Sequence, residues 1–247
     1  MARAVIIIIL LIVIGLAYAF YFGMESPPVS LTLSSPNKTY VVHLVERADR
    51  YLLPIYIDSR RFNSEVRFSA FKGEKALAQN EMLWDDPSGD ARFFDSYKYH
   101  WITDSVLKFG GDESVPQSKI DEVSISNDTN QPINQLVVNA SDYFLILDLQ
   151  PKASVKVPAD HQPWLSWLSC GGSFSSGKPI PFDGVNFFIG DNQESHVSQH
   201  YCISIRDNGV LIQSQEIEGY KDVNGVKTTV PKCNNGLSPE VVFDRQR

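Results

Sequence analysis

Apolar and polar positions divide the chain into two unlike parts. From Ala4 to Met24 there is no charged residue, and Arg3 and Glu25 stand at either side. As a helix those residues would span about 30 Å, the thickness of a bilayer's hydrocarbon core. The centre reads Ile6-Ile7-Ile8-Ile9-Leu10-Leu11-Ile12-Val13-Ile14. β-Branching lowers helix propensity in water, but in lipid the backbone must satisfy its own hydrogen bonds, which a helix does. Tyr18, Phe20, Tyr21 and Phe22 gather toward the far end, where aromatic rings favour the interface. Residues 1–24 therefore predict a single-pass membrane anchor, with Arg3 on the cytoplasmic side and the rest of the chain extracytoplasmic.

The competing reading is a cleaved signal peptide, with Ala17-Tyr18-Ala19 as the cleavage site and a secreted body. Cleavage after Ala19 would leave Phe20-Tyr21-Phe22 as an apolar new start, and the apolar run continues past that site. The anchor is the preferred reading. A lipoprotein needs a cysteine just after the apolar stretch, and the first one here is Cys170.

Beyond Met24 the pattern changes to short apolar runs separated by turn residues. Residues 25–30, with Pro27-Pro28, form a stem that stops the helix. A first β unit over 31–109 has strands predicted at Thr39–Glu46, Leu52–Asp58, Glu65–Phe71, Phe93–Trp101 and Ser105–Phe109. Glu74–Leu83 (EKALAQNEML) predicts the one short helix of the body. Residues 110–118, with two glycines, two acids and a proline, read as a linker.

A second, sandwich-like β unit follows over 119–217. Its strands are predicted at Ile120–Ser126, Ile133–Val138, Tyr143–Leu149, Ala153–Val157, Trp164–Ser169, Val185–Ile189, Tyr201–Arg206 and Val210–Ile217. Two Asn-Gly pairs predict hairpins: Asn208-Gly209, with Ile205 facing Ile212, and Asn224-Gly225 in the C-terminal part (218–247), with Asp222 facing Lys227. The fold class is mostly β, an antiparallel ectodomain of two packed β units behind one membrane helix.

Composition narrows the function classes. The net charge is −7, and setting Arg3 aside leaves 21 basic against 29 acidic residues for the body. Nucleic acid demands a basic face, so it is not an expected partner, and an acidic body will not cling to anionic lipid headgroups. Attachment would rest on residues 4–24.

Candidate chemistry is sparse. Gly172–Lys178 (GSFSSGK) fits the spacing of a phosphate-binding loop, but Pro179-Ile180-Pro181 supplies neither the metal-ligating hydroxyl nor the helix that such a loop needs, so no nucleotide is expected. His196, His200 and Cys202 form the one metal-ligand candidate. Residues 200–206 alternate with period two, which puts Tyr201, Ile203 and Ile205 inward and His200 and Cys202 together on the other face, with His196 reaching back from a loop. The competing view is a solvated strand face. Cys170, Cys202 and Cys233 allow three single bridges, and export would permit one.

No serine stands in a G-x-S-x-G context, and no cofactor is implied. The aromatics of Phe93–Trp101, with Tyr97, Tyr99 and Trp101 on one strand face, and the Trp164/Trp167 pair are read first as core and second as contacts for sugars or a protein partner. Sequons occur at Asn37, Asn127 and Asn139. Taken together, the residues point to a membrane-anchored extracytoplasmic binding or scaffolding protein with a protein partner. An exported metal-binding protein or hydrolase using the His/Cys cluster is the alternative.

Overall fold

The apolar start of the chain is helical: α1 runs Ala2–Tyr21. In this computed structural model, residues 2–21, 24–25, 28–50, 62–86, 93–110, 120–140, 142–160, 165–188, 200–215, 219–223, 226–230 and 232 are described. Within α1, side chains are described for residues 7–16 only, and all of them are exposed. Counted over the described residues, no helix is long and apolar enough to cross a membrane.

The body is built from strands. In a first sheet, β1 (Met24–Glu25), β3 (Tyr40–Arg50), β4 (Phe62–Lys72) and β5 (Lys75–Asp86) lie in that order, and β2 (Val29–Ser34) also pairs with β3. The chain divides into two compact units. One comprises residues 1–33, 42–69 and 79–96, the other 34–41, 70–78 and 97–247.

In the first unit one face of the sheet is buried through Val42 and Leu44 of β3 and Val66 and Phe68 of β4. Glu46 continues that buried row. Its carboxylate accepts hydrogen bonds from Ser64 Oγ at 3.0 Å and from the Phe93 and Phe94 amides at 2.6 and 3.4 Å. Those amides open α2 (Phe93–Ser96), a single helical turn where the sequence predicted a strand. A carboxylate at the start of a helical turn satisfies N–H groups that have no partner within it.

The helix expected over 74–83 is a strand, β5. Gly73, at φ +57, turns the chain back beside β4, and pairing there outweighs the local helix preference of Ala, Leu, Glu and Gln. Asn80, also at positive φ, donates its N–H to Ser69 Oγ at 3.0 Å and accepts from Arg67 at 3.1 Å. The strand expected at Leu52–Asp58 lies outside the described residues.

The second unit holds an eight-stranded and a four-stranded sheet. The larger has the order β17-β16-β13-β12-β9-β10-β7-β6, built from β6 (Lys98–Thr103), β7 (Val106–Gly110), β9 (Ile133–Ala140), β10 (Asp142–Leu149), β12 (Leu165–Phe174), β13 (Pro179–Phe188), β16 (Gly219–Val223) and β17 (Val226–Val230). The smaller has the order β11-β8-β14-β15, with β8 (Ile120–Asn127), β11 (Ser154–Asp160), β14 (His200–Arg206) and β15 (Gly209–Ser214). One apolar cluster draws on both sheets, through Val123, Ile125, Ile203 and Ile205 from the smaller and Val138, Phe144, Leu168 and Phe187 from the larger. Two sheets closing on a shared core is the sandwich principle.

Strands β6 and β7 join the larger sheet: Phe109 pairs with Tyr143, so these strands belong with those that follow residues 111–119. Antiparallel pairing prevails, but β14 runs parallel to β8. The Asn208-Gly209 hairpin closes one residue early. Asp207 and Asn208 form the turn, Arg206 pairs with Gly209 at φ +147, and Ile203 rather than Ile205 faces Ile212. Asp222 does face Lys227.

Candidate functional site

The outward face of the four-stranded sheet carries several reactive side chains. Strand β14 alternates as its sequence suggests: Tyr201, Ile203 and Ile205 are buried, and His200, Cys202, Ser204 and Arg206 alternate with them on the outward side. The parallel register sets His200 beside Glu122, Cys202 beside Ser124 and Ser204 beside Ser126. Lys156, across from Ser124 on β11, donates to Glu122 Oε1 at 2.8 Å. Ser126 and Ser204 hydroxyls lie 3.3 Å apart. An imidazole, a thiol, a carboxylate and an ammonium group thus share one solvated face.

Two of the three expected ligands, His200 and Cys202, lie on that face, and His196 falls outside the described residues. Among the described residues no group of three or more His, Cys, Asp or Glu side chains could hold a metal ion. Cys170 is a free thiol, Cys202 is half-buried on β14, and Cys233 lies outside the described residues. The two thiols occupy opposite environments. Cys170 is fully buried in the core, and burial, with the nearby Asp183 carboxylate adding to it, pushes its thiol pKa far up. Such a thiol is a poor nucleophile.

Residues 172–178 lead into a strand, not a helix. They are the hairpin between β12 and β13, closed by the Phe174 N–H donating to Lys178 O and the Gly177 N–H to Phe174 O, both at 2.9 Å. Lys178 is directed to the Asp207 carbonyl.

A second polar group sits where residues 34–41 and 70–78 meet β10, and it had no signal in the spacing of the sequence. Asp148 takes φ +55 inside its strand, a backbone region that side chains other than Gly, Asn and Asp rarely enter. Its carboxylate accepts the Tyr40 hydroxyl at 3.2 Å and Gln150 Nε2 at 2.8 Å, and pairs with the Lys72 ammonium. Burial, then the Asp148 charge, holds the Tyr40 pKa above its ordinary value, and the Asp148 hydrogen bond raises that of Lys72. Both groups stay protonated at neutral pH, so the cluster is a clasp rather than a reactive centre. Nearby, Asp104 accepts the Asn37 N–H at 2.8 Å, with Thr39 and Ser35 also hydrogen-bonded to it. The Thr39 contact contributes most to holding its carboxyl below the usual range.

The sequons separate by environment. Asn127 is fully buried, and its Nδ2 donates to the carbonyls of Gln131, Leu149 and Gln150 at 2.8, 3.1 and 3.2 Å. That amide has no freedom to carry a glycan. Asn37 is exposed at the β2–β3 turn, and Asn139 is half-buried on β9.

The aromatics also divide. Phe93 is buried against Trp84, with ring centroids 5.3 Å apart, and Tyr97 stacks edge-on to Tyr143 at 5.6 Å. Trp101 is half-buried, whereas Tyr99, Trp167 and Phe182 are exposed. Trp164 is outside the described residues. Phe182 was not singled out by sequence, since its place at an irregularity between Cys170 and Gly172 of the neighbouring strand leaves no periodic mark. Comparison with protein-family models, curated proteins and solved structures finds no match for this chain.

Proposed function

We propose that this chain is a membrane-tethered extracytoplasmic β protein that binds or scaffolds a partner and carries no catalysis of its own. The observation behind the reading is α1. Its apolar residues between Ile7 and Leu16 expose 52–62% of their surface, on every side of the helix, with no charge among them. A helix apolar all round has no stable place in water and is at home in hydrocarbon. Arg3 gives the amino terminus a cytoplasmic preference, which puts the β body outside.

Alkaline carbonate washing of membranes from cells producing the full chain tests the tether. The protein should stay in the pellet, and a variant lacking residues 2–21 should leave it. A full chain found in the wash would contradict the reading.

One observation favours a second reading, an exported metal-binding protein: His200 and Cys202 share the outward side of β14. Metal analysis of the purified full chain separates the two. A stoichiometric ion lost in His200→Ala would replace binding or scaffolding with metal chemistry, and metal-free protein would remove this reading.

A further inference from the structure

Strands β7 and β10 bring a lysine and an aspartate together within the apolar core. Lys108 and Asp142 stand two residues from Val106 and Phe144, which belong to the core cluster, and share their side of the strands. Lys108 Nζ lies 2.8 Å from Asp142 Oδ2, and the two side chains are only 10% and 3% exposed. The ammonium group is 5.9 Å from the centre of the Phe144 ring. Gly110 leaves the room for this contact. A Cβ there would sit 2.3 Å from Asp142 Oδ1 and 2.7 Å from Lys108 Cε.

Two opposite charges in a dry core lose their hydration, and their attraction offsets that loss only in part. Neutralising both removes the cost, and condensation does so for good. The proton passes from the ammonium to the carboxylate, which gives an amine and a carboxylic acid. The Nζ lone pair then attacks Cγ. The Cγ–Nζ bond forms, the Cγ–O bond breaks, and the hydroxyl oxygen leaves as water with one proton from the amine. No oxidant, cofactor or second chain takes part. Fixed contact supplies the orientation that a free amine and a free acid lack, and burial keeps out the water that would reverse the step.

We propose that Lys108 and Asp142 join in an intramolecular isopeptide bond that ties β7 to β10. Lys72 with Asp148 and Lys221 with Asp183 make the same kind of contact, but both are more open to solvent and remain ion pairs. The cross-link holds two neighbouring strands of the larger sheet whatever the redox state around them. It goes beyond the membrane tether and does not depend on it.

Intact-mass spectrometry of the full chain in detergent, with its amino terminus established by sequencing, reads the bond. The chain should be one water lighter than its sequence. Tryptic digestion should yield a branched peptide that joins the Lys108 and Asp142 segments. Lys108→Arg keeps a cation beside Asp142 but offers no reactive amine, so it should show the full sequence mass. It should also unfold several degrees lower, since a cross-link stabilises by restricting the unfolded chain. Asp142→Asn should form the same bond with loss of ammonia in place of water, and Asp142→Ala should lose nothing.

A parent chain at full sequence mass, with no branched peptide, overturns the proposal. So does a water loss that persists in Lys108→Arg, as a cyclic imide at Asp183-Gly184 would give. The branched peptide is read on the parent chain, so the test decides even where a variant fails to fold.

Discussion

Strands β10 and β14 contribute to the same core but meet their surroundings differently. Along β10, Phe144, Leu145, Ile146 and Leu147 are all buried, so both faces of the strand are covered. Along β14 burial falls on every second residue, and the other side carries His200 and Cys202. Over Phe144–Leu147, where both sides are covered, the side chains contribute packing. A strand with one solvated face can hold chemistry at almost no energetic cost. Cys170 and Cys202 repeat the contrast, the first sealed in the core and the second on the outward side of β14.

The largest effect should come from the doubly covered strand. Phe144→Ala removes a fully buried ring and should cost about 3–5 kcal/mol in urea unfolding of the body. Close to it in size is Lys108→Met. Lys108 Nζ lies 2.8 Å from Asp142 Oδ2, with both side chains buried, and removing the lysine beside a buried carboxylate should cost about 3–5 kcal/mol. Replacing Asp142 as well, Lys108→Met with Asp142→Leu, should recover the part that comes from the unpaired charge and not the part that comes from the cross-link. A double variant as unstable as the single one would show that the pair contributes more than its own charges.

Thiol labelling sharpens the comparison between the cysteines. In a Cys233→Ala background, Cys202 should react with an aromatic disulfide reagent in the native state, and Cys170 only as the protein unfolds. Equal rates would break the contrast. At the small end, His200→Ala should shift stability by no more than about 0.5 kcal/mol, because it is an exposed strand residue.

Acid should act at the turn of residues 35–40. The Asp104 carboxyl is depressed in the folded state, so its contribution is in place above the ordinary carboxylate pKa of about 4 and is lost as pH falls through the lowered value. The protection factor of the Asn37 amide, bonded to Asp104, should fall over that acidic range, and Asp104→Asn should abolish that fall.

The same contrast explains what could be read from residues alone. The period of two over residues 200–206 marked β14 and its two faces, because one side is solvated and the other is not. The run Tyr143–Leu149 marked a strand, yet a continuous apolar run carries no information about which side faces which sheet. Pairing between distant strands was hidden for a related reason. That Phe109 lies beside Tyr143, or that β14 runs parallel to β8, depends on tertiary packing that local pattern does not encode.

Local propensity misled at 74–83, where helix-favouring residues form β5 because a positive-φ glycine folds them back beside β4. Asp148, whose strained backbone and three side-chain partners make it the centre of the clasp, had no signature at all, since one acid in an apolar strand reads only as an interruption. On the outward face of β12 and β13, Trp167 was noticed as an aromatic, but the glycines that open space for it and for Phe182 gain meaning only once the register is known.

Most depends on the proposal that α1 holds the β body at a membrane. Sequencing the amino terminus of the protein recovered from carbonate-washed membranes tests it most directly. The account predicts a chain that still begins at Met1 or Ala2. A chain that begins at Phe20, or none in the membrane fraction, would contradict it.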